Sequence, residues 1–110
     1  MKEAGENAAW KEKKNEGVQL FGVGTEPFWN VSLQKDSLSF QLAEWSKPIR
    51  LKLGAVQRTT DSSSFEATAD STKLQLIVYP YFCSDGMSDL IYRNKIKVLY
   101  NGRVYTGCGQ

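Results

Sequence analysis

Apolar residues recur at every second position through most of the chain after residue 18. Trp29, Val31 and Leu33 alternate with Phe28, Asn30 and Ser32, and Leu38, Phe40 and Leu42 alternate with Ser37, Ser39 and Gln41. Ile49, Leu51 and Leu53 are separated by Arg50 and Lys52. Phe65, Ala67 and Ala69 follow, then Leu74, Leu76 and Val78, then Ile96, Val98 and Tyr100 between Lys95, Lys97 and Leu99. A two-residue period sets one face of a strand on a core and the other in water. No segment beyond the N-terminus sustains a helical period.

Polar turns fall between the apolar runs: "QKDS" at 34–37, "TDSS" at 60–63 and "ADST" at 69–72. "YNGR" at 100–103 holds Asn-Gly, a strong hairpin signal because both residues accept positive φ. "AEWSKP" at 43–48 is a longer connection with room for one helical turn before Pro48. Strands at roughly ten-residue spacing predict an all-β fold, a small antiparallel meander closed into a barrel or a barrel-like sandwich.

Residues 1–17, "MKEAGENAAWKEKKNEG", are polar, with Trp10 the one side chain suited to docking. They are expected to be a flexible spacer ahead of a single domain spanning 18–110. With 110 residues the chain holds one modest core. A net charge of +2 with both signs scattered gives no basic stripe for nucleic acid. There is no histidine, which removes the commonest general base and the usual zinc ligand. No cofactor is expected. The two cysteines, Cys83 and Cys108, are either a disulfide or a pair of buried thiols.

Two clusters depart from the alternation. In "GVGTEPFWNV" at 22–31, Pro27 holds Glu26 extended, and Phe28 and Trp29 must point to opposite faces. One reading makes this a glycine-rich lead into the first long strand, with Trp29 as core plug. The other makes Glu26, Phe28 and Trp29 part of a binding surface. The second cluster is "CSDGMSDLIY" at 83–92.

Together with "GRVYTGCG" at 102–109, these clusters resemble a family of uncharacterised bacterial envelope proteins, many of them predicted lipoproteins. The shared pattern is G-x-E-P-F-W, then C-x-D-x-M-S-D-x-x-Y, then a terminal G-C. The resemblance covers Gly22 to Gly109; Thr25 and Gly109 stand where the family often has Asn and Ala. It implies export to the periplasm or outer envelope, with a lipid anchor upstream of residue 1 as the only tie to the membrane and residues 1–17 as the spacer. Export in turn implies a Cys83–Cys108 disulfide. The resemblance carries no activity.

Within 83–92, Asp85-Gly86 is a turn signal, and Ser84, Asp85, Ser88 and Asp89 can bond nearby backbone amides. That makes the stretch a disulfide-pinned corner first, with Met87 and Tyr92 either folded under as a lid near Trp29 or facing outward. The other readings are a recognition loop using Asp85, Met87, Ser88, Asp89 and Tyr92, a calcium site on Asp85 and Asp89, and an acid/base pair of those two carboxylates. The expected function is a non-catalytic, monomeric envelope domain that binds an unidentified envelope protein or small ligand. The alternatives are an inhibitor of an envelope-directed hydrolase such as lysozyme, with Ser88 and Tyr92 entering its cleft, and an enzyme of unknown reaction.

Overall fold

A computed structural model describes residues 2–3, 20–25, 28–84 and 90–110. In chain order the strands are β1 (Lys2–Glu3), β2 (Leu20–Thr25), β3 (Phe28–Leu33), β4 (Ser37–Leu42), β5 (Ile49–Arg58) and β6 (Ser63–Ala69). They continue with β7 (Thr72–Tyr79), β8 (Cys83–Ser84), β9 (Leu90–Tyr92), β10 (Asn94–Tyr100) and β11 (Arg103–Gly109). Eight of them close into a barrel in the order β2-β3-β4-β5-β6-β7-β10-β11, with β11 returning to β2. Every neighbouring pair in the barrel is antiparallel. The fold is thus the predicted all-β meander, in its barrel form. Among the described residues, the chain leaves the barrel between β7 and β10, where β8 and β9 pair with each other, and β1, also outside the barrel, adds in parallel to β9.

The two-residue period does what it predicts. Val31, Leu38, Phe40, Leu51, Leu74, Leu76, Ile96 and Val98 are at most 1% exposed and fill the interior. A barrel of eight strands is just wide enough to be packed solid by its own side chains. The turns also follow the sequence. Asn101 and Gly102 take φ of 54° and 77°, the left-handed pair that a two-residue hairpin needs. Asp70 takes φ of 53° in the β6–β7 turn.

Three expectations change. Residues 20–25 are a full strand rather than a lead into β3, pairing with it from Leu20↔Leu33 to Thr25↔Phe28. Glycine at alternate positions hides the strand from any hydrophobic period. Residues 43–48 contain no helical turn; the Trp45 amide donates to the Leu42 carbonyl at 2.9 Å, closing a tight turn instead. Trp45 is drawn back over the barrel, with its ring 5.8 Å from both Phe40 and Tyr100. Finally, β5 runs on past Leu53 to Arg58. The Leu53 amide bonds the Asp36 carbonyl at 3.1 Å, and beyond it β5 pairs only with β6 among the described residues. Gly54 to Arg58 are exposed, so the β5–β6 hairpin projects past the barrel. Of the expected spacer, Lys2 and Glu3 pair with Leu90 and Ile91. Residues 4–17, with Trp10, lie outside the described residues.

The barrel has two ends. The lower end carries the start of β2, the β3–β4 and β5–β6 turns, the β7–β10 connection and the end of β11. The upper end carries the β4–β5, β6–β7 and β10–β11 turns and the passage from β2 to β3.

Closure depends on glycine. The β2–β11 ladder has only the pairs Val23↔Cys108 and Gly22↔Gly109, extended by a reciprocal pair of hydrogen bonds between Phe21 and Gln110 at 3.2 and 2.9 Å. Along the seam the inward positions are glycines, Gly22 and Gly24 on β2 and Gly107 and Gly109 on β11. A Cβ on Gly24 would overlap the Trp29 indole, and one on Gly107 would overlap the Val23 carbonyl and the same indole. Trp29 therefore lies close against a part of the wall that has no side chains. Gly107→Val is expected to destabilise the domain by about 1–3 kcal/mol, because overpacking displaces either the strand or the indole. Gly54→Ala, with only the Glu66 carbonyl at 3.7 Å, should change stability by less than about 0.5 kcal/mol. Urea melts of the two variants measure the contrast.

Candidate functional site

The alternation that turns Gly107 and Gly109 inward turns Cys108 outward. Cys108 is nevertheless only 1% exposed, because β8 and β9 lie over it. Cys83 in β8 is bonded to Cys108, with Cα atoms 5.5 Å apart across a separation of 25 residues. The expected disulfide is present, and no described cysteine is free. Tyr92 of β9, 4% exposed, packs with Cys108, and Phe21, Val23 and Cys83 complete this second, external core. Phe21 and Val23 are the outward residues of β2, so the patch covers the outside of the β2–β11 seam.

This arrangement settles where two of the singled-out aromatics stand. Tyr92 folds under, but against the outer wall and not as a lid over a barrel end. It is buried and is not positioned to enter a partner's cleft. Trp29 is 4% exposed on the inner side of the same wall, with Phe40 at 6.0 Å and Tyr105 at 6.5 Å between ring centroids. Trp29 and Tyr92 thus grip one seam from opposite sides. Glu26, Asp85, Met87, Ser88 and Asp89 lie outside the described residues. Among the described residues, no cluster of three His, Cys, Asp or Glu side chains could hold a metal ion.

Phe28 has the opposite fate to Trp29, as the strand period requires. It is 55% exposed at the upper rim. The Ala43 amide donates to its carbonyl at 2.9 Å, tying the β4–β5 turn to β3. The Gln41 side-chain amide donates to the Trp45 carbonyl at 2.9 Å and fixes the next part of that turn. Between these pieces a cavity of about 390 Å³ opens, lined by Phe28, Leu42, Ala43, Glu44, Arg103 and Tyr105. Leu42 and Tyr105 belong to the barrel core and give it an apolar floor. Glu44 and Arg103, both exposed, put one charge of each sign on its lining. The site suits a ligand or side chain with an apolar body and polar ends.

Of the residues singled out in the sequence, only Phe28 reaches this mouth among those described. Arg103, Tyr105 and the 42–44 segment were not singled out. A tryptophan inside the polar stretch "AEWSKP" was the available sign that this connection folds onto the barrel. Tyr105 follows from the Asn-Gly hairpin register, where it opposes Val98.

The chain thus belongs to the class of small, closed, up-and-down β-barrels, here with an external disulfide-pinned sheet over the closing seam. Comparisons with known protein families, with curated proteins and with solved structures find no match.

The disulfide closes a loop whose loss is expected to cost about 3 kcal/mol on the chain-entropy model. Cys83→Ala, Cys108→Ala and the double variant should fall by similar amounts, since each opens the same loop. Chemical melts test this, and thiol titration of the denatured, unreduced protein should find no free thiol.

Proposed function

We propose that this chain is a non-catalytic binding domain of the bacterial cell envelope, and that it takes its partner or small ligand at the upper mouth. The observation that carries the reading is Phe28, 55% exposed beside a cavity floored by core residues. A large ring held at the rim of a preformed apolar hollow is the kind of anchor on which recognition surfaces are built. The hydrogen bonds from Ala43 and Gln41 keep the mouth in shape, which reduces the ordering cost of binding.

The disulfide supports the compartment, since such bonds persist in oxidising surroundings such as the periplasm. The resemblance of the three motifs to envelope proteins points the same way. Among the described motif residues, Gly24 and Trp29 pack inside the seam, and Cys83, Tyr92 and Cys108 pack outside it. The mouth is the recognition site of this proposal, on the strength of Phe28 and the hollow beside it.

Phe28→Ser and Arg103→Glu alter exposed side chains and should leave the melting temperature near that of the parent. Immobilised parent protein should retain one species from an envelope extract that both variants fail to retain. Equal retention by all three proteins would rule out the mouth as the binding site.

A further inference from the structure

Tyr81 and Phe82 stand out from the lower end of the barrel, 52% and 79% exposed. They are not free to fold back. Pro80 follows β7 directly, and the Tyr81 amide donates to the Tyr79 carbonyl at 2.8 Å, a three-residue turn with proline at its centre. The turn lays the Tyr81 ring nearly parallel to that of Tyr79, with centroids 6.2 Å apart and planes inclined by 19°. One residue past Phe82, Cys83 is bonded to Cys108. Phe82 is thus mounted between a barrel strand and a disulfide. An apolar ring held in water on a rigid mount gains free energy only from something that comes to cover it.

The surrounding charges indicate what that is. The Lys97 ammonium lies over the Tyr79 ring, 5.7 Å from its centroid. Lys95 is paired directly across from Tyr79 and is exposed. Lys35 in the β3–β4 turn and Arg58 at the tip of β5 add exposed cations to the same end. The acids facing them from the described turns are Asp36 and Asp61. The centres of protein interfaces are depleted in lysine. Aromatic rings among lysines and arginines match the headgroup layer of an anionic bilayer, where rings lodge at the interface and cations meet phosphates.

We propose that the lower end docks reversibly on an anionic lipid bilayer, with Tyr81 and Phe82 entering the headgroup layer and Lys95, Lys35 and Arg58 facing lipid phosphates. The upper mouth then points away from the membrane, and the docking does not depend on what that mouth binds.

The test is sedimentation of the full chain with vesicles of phosphatidylcholine alone and of mixed phosphatidylglycerol and phosphatidylcholine. The parent protein should sediment with the mixed vesicles and not with phosphatidylcholine, and added salt should weaken the association. Phe82→Ser should weaken it by at least about fivefold, since it removes an apolar ring from the layer. Val104→Ser, which alters an upper-end residue 59% exposed, should bind as the parent does. Parent protein that stays in the supernatant with mixed vesicles overturns the proposal. So does Phe82→Ser that binds them as tightly as the parent.

Discussion

The contact on which this fold depends is the Trp29 indole lying against the bare backbone of β2 and β11. A barrel must be closed by its first and last strands, and here that ladder is the shortest of the ring. Side chains on the inner face of those strands would hold the indole off the wall. Glycine at positions 24 and 107 lets it reach the backbone, so a large apolar surface is removed from water at the point where hydrogen bonding is thinnest. Phe40 and Tyr105 brace the indole from the other side, and Trp45 and Tyr100 extend the aromatic packing to the upper end.

The outer face of the seam is built on the same economy of parts. Because β11 pairs with β10 in unbroken register, each inward glycine in β11 sets its neighbour outward, and Cys108 is that neighbour. An exposed Phe21, Val23 and Cys108 would leave an apolar strip on the surface. The β8–β9 excursion covers it with Tyr92 and pins the cover with a disulfide. Domains of this size are stable by only about 5–15 kcal/mol, so a cross-link contributing about 3 kcal/mol is a large fraction of what holds them.

The barrel was legible in the sequence wherever inside and outside residues differ in polarity. Leu38-Phe40-Leu42 and Ile96-Val98 could be read directly, and Asn101-Gly102 announced its own turn. β2 was not legible, because a strand with glycine at two of its three inward positions has no hydrophobic period to detect. Its glycines signal close packing, but only the partner Trp29, brought there by pairing, shows against what. The Cys83–Cys108 bond was expected from the resemblance to exported proteins, since the two cysteines by themselves fit buried thiols equally well. Which wall the cysteine stretch would lie on was not legible, since that follows from the outward parity of Cys108 on a strand half made of small residues. The mouth was half legible. Phe28 could be placed opposite Trp29 from the strand period, whereas Arg103 and Glu44 come beside it through turns far apart in sequence.

The placement of the seam also bears on the order in which the chain can fold. Val23 and Cys108 are separated by nearly all of the barrel sequence, so their pairing must overcome more loop-closure entropy than any hairpin in the ring. Cys83 and Cys108 lie far closer along the chain, and β10 and β11 pair as neighbours. A β8–β11 unit held by its own cross-link would offer β2 a finished edge, with the cysteine cover already in place. Closure then becomes the docking of one strand onto a template rather than a search by two free ends. The pairing with the longest loop to close is the one flanked by Trp29 on one side and Tyr92 on the other.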